Sequence, residues 1–158
     1  MKIQLHAKRD GITKLGPGTR FVVWTQGCPR SCPGCMTAAS QQMNGGFSAD
    51  TKQLAEEILQ SGRHGLTISG GEPFLQAKAL ADLIQEVRKK TDLGVMLYTG
   101  FTLEELHQQA WRASPGGEIH APVSGRMSAR WRGLFQTDQI SHSDILWIIR
   151  FLQRHHAG

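Results

Sequence analysis

An α/β fold with a mostly parallel sheet, arranged as a partial (β/α) barrel, is predicted by three features of the sequence. Short apolar, β-branched runs recur along the first two thirds of the chain. Segments with helical spacing of apolar residues separate them, and the runs end in loops rich in glycine or cysteine. Strands alternating with helices give parallel sheets with right-handed crossovers. Functional groups then gather at the carboxyl ends of the strands.

The elements follow in order. Lys2 to Lys8 alternates polar and apolar residues and suits a strand. Gly16-Pro17-Gly18 makes a turn, and Arg20 to Thr25 (RFVVWT) is a buried strand. Residues 26–47 carry every cysteine, two prolines and several small residues, and form one long functional loop. Ser48 and Asp50 are N-cap candidates for a helix ending near Gln60, with Leu54, Ile58 and Leu59 on one face. Gly65 to Ser69 is the next strand, closed by Gly70-Gly71-Glu72-Pro73. A helix from about Leu75 to Lys90 places Leu80, Leu83, Ile84 and Val87 at helical spacing. Gly94 to Thr99 is a further strand, and Thr102 with Glu105 opens another helix by a capping-box pattern. Beyond Trp111 the pattern weakens. Residues 113–125 read as loop, residues 126–135 are basic and aromatic, and residues 145–152 fit a strand or a buried helix.

The 158 residues suit one domain with a single core. Apolar residues make up 39% and charged residues 20%, which excludes a disordered chain. The net charge of +5 favours an acidic partner or ligand, whereas a basic surface alone is poor support for nucleic acid. Residues 1–10 lack the apolar core of a signal peptide, and no run is long enough to span a bilayer. The cytoplasm is the expected compartment. Three cysteines within eight residues agree, since an odd number closes no disulfide set.

Cys28, Cys32 and Cys35 have the spacing C-x3-C-x2-C. Thiolates are the usual ligands of iron–sulfur clusters, and three of them leave one iron of a cubane uncovered. An open coordination position marks a reactive metal site. Pro29 and Pro33 stiffen the loop, and Gly27 and Gly34 permit close backbone approach. A zinc site of three cysteines and a distant histidine stands as the alternative on spacing alone.

The same spacing resembles the signature of the radical S-adenosylmethionine (SAM) superfamily. Several segments are similar to one branch of it, the small activating proteins of anaerobic ribonucleoside-triphosphate reductase. They are Gly16-Pro17-Gly18-Thr19-Arg20, Gly27-Cys28, Cys32-Pro33-Gly34-Cys35, Ser69-Gly70-Gly71-Glu72-Pro73, and Tyr98-Thr99-Gly100 with Leu103-Glu104-Glu105-Leu106. The resemblance covers about residues 1–110 and implies a radical SAM-like fold. Gly34 before the third cysteine favours this branch. Downstream the family continues with an Asp-Gly-aromatic turn and an Arg-Gly-Ser segment. Here Trp131-Arg132-Gly133 matches only the start of the latter, so residues 111–158 form a diverged C-terminal part.

The resemblance implies a [4Fe–4S] cluster on Cys28, Cys32 and Cys35, with SAM on its open iron. It assigns Gly70, Gly71 and Glu72 to the SAM amino group, the Glu72 charge suiting an ammonium. Gly34, Cys35 and Met36 would lie beside SAM, and Tyr98, Thr99 and Gly100 would line the same pocket. One-electron cleavage of SAM would give a 5′-deoxyadenosyl radical, which takes hydrogen from a glycine of a large glycyl-radical enzyme. No acid–base or nucleophilic side chain is needed, so no catalytic residue is assigned. A flavodoxin- or ferredoxin-like protein would supply the electron. Two other classes stand beside this one: a radical SAM enzyme acting on a small molecule or peptide, and a non-catalytic iron–sulfur or zinc protein. The histidines show no ligand spacing, and Trp111, Trp131 and Trp147 are taken as packing residues. Arg126, Arg130 and Arg132 read as a solvated basic face.

Overall fold

The computed structural model describes residues 1–30 and 32–101. Five strands form one sheet: β1 (Lys2–Ile12), β2 (Arg20–Thr25), β3 (Phe47–Asp50), β4 (Gly65–Gly70) and β5 (Gly94–Leu97). Two helices, α1 (Thr51–Gln60) and α2 (Ala77–Arg88), precede β4 and β5. The expected helix at Thr102 and the segments 126–135 and 145–152 lie outside the described residues.

The sheet order is β3-β1-β2-β4-β5. Strands β2, β4 and β5 are parallel, as the alternation predicts. Strand β1 is antiparallel to both of its neighbours. Among the described residues the sheet is therefore mixed and not closed; a mixed sheet replaces the expected mostly parallel one, and these residues do not show the expected partial barrel. The reason is chain length. Parallel neighbours need a crossover of a dozen or more residues, and the link from Ile12 to Arg20 is shorter and holds no helix. Strand β3 also departs from expectation, because it ends the segment read as continuous loop.

Each helix is shaped by its sequence. Asp50 caps α1 by accepting hydrogen bonds from the Lys52 and Gln53 amides. Its buried stripe is Leu54, Ala55 and Ile58. Helix α2 begins after a short 3-10 turn, Pro73–Gln76, and buries Leu80, Leu83, Ile84 and Val87. These stripes pack together with Ile3, Leu5, Phe21, Val23, Leu66, Ile68 and Val95 as one core. No described helix is long and apolar enough to cross a membrane.

The Gly16–Arg20 motif sits at the amino edge of the parallel strands, where Arg20 pairs with Gly65 and Gly65 with Gly94. The Arg20 side chain is 3% exposed. Its Nη2 donates to the Leu66 and Gly94 carbonyls at 2.8 and 2.9 Å, and its Nε to Thr67 Oγ1 at 2.6 Å. Its Nη1 reaches the Pro17 carbonyl at 3.2 Å. Burial pulls the guanidinium below its ordinary pKa. A Cβ on Gly65 would lie 2.2 Å from Arg20 Nη1, so a larger residue there would have to displace the guanidinium from these bonds. One buried side chain thus fastens three strands and a turn, at the edge opposite the cysteines.

Candidate functional site

The cysteine loop leaves the sheet at Thr25, the carboxyl end of β2, beside the carboxyl end of β4 at Gly70. Leu5 of β1 pairs with Thr25 on one side and with Phe47 on the other. The loop therefore departs and returns across a single strand. Gln26, 4% exposed, secures both ends. Its Nε2 donates to the Ala39 and Gln42 carbonyls, and its Oε1 faces His6 Nδ1 at 3.1 Å. Gln76 adds a bond from its Nε2 to the Gln26 carbonyl and a two-way pair with the Gln4 backbone.

Within the loop, Gly27 and Gly34 have φ of +94° and +71°, a region that favours glycine. The Cys35 amide donates to the Cys32 carbonyl at 3.3 Å and closes a tight turn. Cys28, Cys32 and Cys35 are free and half-buried. Burial pushes the Cys28 thiol above its usual pKa, and the like charges of Glu72, Cys32 and Cys35 push the same way. Among the described residues, no three His, Cys, Asp or Glu side chains converge as the ligands of one ion would. Thiolates are the usual ligands of iron–sulfur clusters, and three of them on one short loop can each take one iron corner. The donor set fits a cubane.

The turn after β4 packs directly on this loop. The Gly71 amide donates to the Thr25 carbonyl at 2.9 Å, and the Glu72 amide to the Gly27 carbonyl at 2.8 Å. A Cβ on Gly70 would lie 2.4 Å from the Thr25 nitrogen, and one on Gly71 would lie 2.2 Å from the Gly27 oxygen. Both glycines serve contact between backbones here.

Glu72 is 1% exposed. Its Oε1 accepts from the Phe74 amide at 3.0 Å and Thr99 Oγ1 at 2.8 Å, and its Oε2 from the Gly100 amide at 2.7 Å. Burial raises the carboxyl pKa, while these donors and the Arg30 charge oppose the rise. Thr99 and Gly100, at the end of β5, are thereby brought to the glycine turn. Tyr98 adjoins them, its amide donating to the Ile68 carbonyl at 2.9 Å. Gly34 has open space around its Cα, and Met36 stands 92% exposed beside the loop.

Sequence reasoning passed over Arg30. It is the single charged residue in the segment 26–47, which was the available signal. Its guanidinium stacks over the Phe101 ring, 4.9 Å from the centroid. A Cβ on Gly100 would lie 3.0 Å from Arg30 Cδ, so the glycine admits the arginine stem. The cysteine loop, the glycine turn and the end of β5 meet in one place.

Comparison with known proteins agrees with this geometry. The 4Fe–4S single cluster domain family matches residues 14–133, well past the point where the quoted motifs stop. An α/β sheet with three thiols at its carboxyl edge and this match define an iron–sulfur domain protein. The anaerobic ribonucleoside-triphosphate reductase-activating protein of Escherichia coli K12 is 31% identical over 143 residues, covering 80% of this chain and 90% of that protein. Its namesake from phage T4 is 30% identical, covering 84% of this chain and 90% of its own. The pyruvate formate-lyase-activating enzyme of Staphylococcus epidermidis is 33% identical over 95 residues, 56% of this chain and 38% of its own. The chain belongs to the family of anaerobic ribonucleoside-triphosphate reductase-activating proteins.

Proposed function

We propose that the chain is a radical SAM activating enzyme that generates a glycyl radical on an anaerobic ribonucleotide reductase. The observation that carries this reading is the joining of the three-thiol loop to the Gly70–Glu72 turn within a chain of this family. Bound together, a reduced [4Fe–4S] cluster and SAM supply one-electron cleavage of a carbon–sulfur bond and a carbon radical that takes hydrogen from glycine.

The chain's own residues hold and orient. Cys28, Cys32 and Cys35 would carry the cluster. Gly70, Gly71 and Glu72 would face the SAM amino group, with Gly34, Met36, Tyr98, Thr99 and Gly100 bordering the rest. Glu72 contributes chiefly by fixing Thr99 and Gly100, since its oxygens already take three hydrogen bonds. Residues 1–158 would act as one domain, which the extent of the family match supports. The +5 charge supports an acidic electron carrier of the flavodoxin or ferredoxin kind. Three free thiols support a reducing cytoplasm.

Anaerobic reconstitution followed by a test for reductive SAM cleavage decides the reaction. Electron paramagnetic resonance (EPR) on an added anaerobic ribonucleotide reductase then decides the substrate. Iron and sulfide uptake, methionine release and a glycyl signal are expected. Uptake of zinc alone, or intact SAM under strong reductant, would overturn the reading.

A further inference from the structure

Thr37, two residues past the third cysteine, occupies a position the motifs do not explain. Its Oγ1 lies 3.1 Å from the Gly70 carbonyl, to which it donates, and 3.9 Å from Cys35 Sγ. The rest of the residue is held firmly. Its carbonyl accepts from the Ser40 amide at 2.8 Å and from Ser40 Oγ at 2.6 Å. Ser40 is fully buried, and its own carbonyl accepts from the Gly27 amide at 2.8 Å. Both flanks of the cysteine loop therefore converge on Thr37. A hydroxyl fixed in this way has one proton and two acceptors within reach, a strand-end carbonyl and a sulfur.

We propose that Thr37 is a positioning residue that couples Cys35 to the Gly70 turn by sharing its hydroxyl proton between the Gly70 oxygen and the Cys35 sulfur, and so tunes the cluster. The inference rests on the reading that Cys35 carries one iron of that cluster. Hydrogen bonds to cluster sulfurs are among the determinants of reduction potential. A donor beside a ligating thiolate stabilises the more negative, reduced state and raises the potential. Because the same hydroxyl also touches Gly70, a ligand that binds at the turn alters how the proton is shared.

The test uses the full chain, reconstituted without oxygen, as wild type, Thr37→Val and Thr37→Ser. Valine keeps the shape and removes the hydroxyl, whereas serine keeps the hydroxyl. Iron and sulfide per chain are measured first, then the midpoint potential by EPR-monitored titration without SAM. Full loading of all three is expected, with Thr37→Val shifted to a more negative midpoint and Thr37→Ser at the wild-type value. A Thr37→Val midpoint equal to wild type overturns the assignment, and so does an equal shift in both variants. Should the valine variant fail to load, Thr37→Ala is titrated in its place against the same criteria. Wild-type protein that takes up no iron and sulfide would refute the cluster reading instead, so the two failures are distinct.

Discussion

Thr99 donates its hydroxyl proton to Glu72 Oε1 across 2.8 Å, joining residues 27 positions apart at the ends of two parallel strands. The same carboxylate takes the amides of Phe74 and Gly100, so every described hydrogen-bond partner of its two oxygens is a donor. Glu72→Gln puts one oxygen and one NH2 where two acceptors stood. Whichever way the amide turns, at least one buried donor faces another. Urea unfolding of the cluster-free protein should show a loss of about 1–3 kcal/mol. SAM affinity should fall with it, because Thr99 and Gly100 lose their anchor. A variant as stable as wild type would show that the carboxylate is not the tie.

At the other edge of the sheet, Arg20→Met should destabilise by about 2–4 kcal/mol, since it strands carbonyls in a buried position. The cysteine loop is remote from this change. Once folded and loaded, the variant should reach the wild-type cluster potential. A shifted potential would mean that the two edges communicate.

Cys28→Ser, Cys32→Ser and Cys35→Ser should each lose most bound iron and sulfide after reconstitution. None of the three thiols closes a disulfide, and all are half-buried. Cluster-free stability should accordingly stay within about 1 kcal/mol of wild type. Wild-type iron content in any one variant would remove that cysteine from the ligand set.

The glycines of the site should separate by cause. Gly71→Ala drives a methyl to 2.2 Å from the Gly27 oxygen and 2.8 Å from the Ser40 oxygen, both backbone atoms. It should displace the loop and prevent stable cluster loading. Gly34→Ala meets nothing within 4 Å and suffers from its φ of +71° alone, a cost of about 1–2 kcal/mol. Iron retention on a desalting column compares the two. Equal retention would show that the backbone contact at Gly71 gives way easily.

Much of this was written plainly in the chain. Strand β2 falls on Arg20–Thr25 as its unbroken apolar run implies, and Asp50 caps α1 as its position suggests. The direction of β1 was hidden, because strand direction leaves no mark in local alternation. The shortness of the following link was its one trace. Strand β3 was missed because Phe47 and Ser48 are exposed and show no buried face; the strand is made by pairing with β1. In the site, spacing revealed the three cysteines and the glycine turn. It could not reveal that Glu72 would meet Thr99, or Thr37 meet Gly70, since both contacts arise only after α1 or α2 returns the chain to the sheet.

Leu5, pairing with Thr25 and Phe47 at once, has a consequence for how the site can be altered. The gap between the two stems of the loop is set at two strand spacings, roughly 10 Å, by a residue that bears no metal ligand. Lengthening or shortening the intervening chain would change how far it bulges, while its footing stayed put. Swapping the hydrophobe beneath would leave the footing in place as well, because backbone pairing holds the strands apart whatever side chain they carry. The aperture is thus open to remodelling from above, by the length and sequence of the ligand-bearing segment, on a foundation that stays fixed.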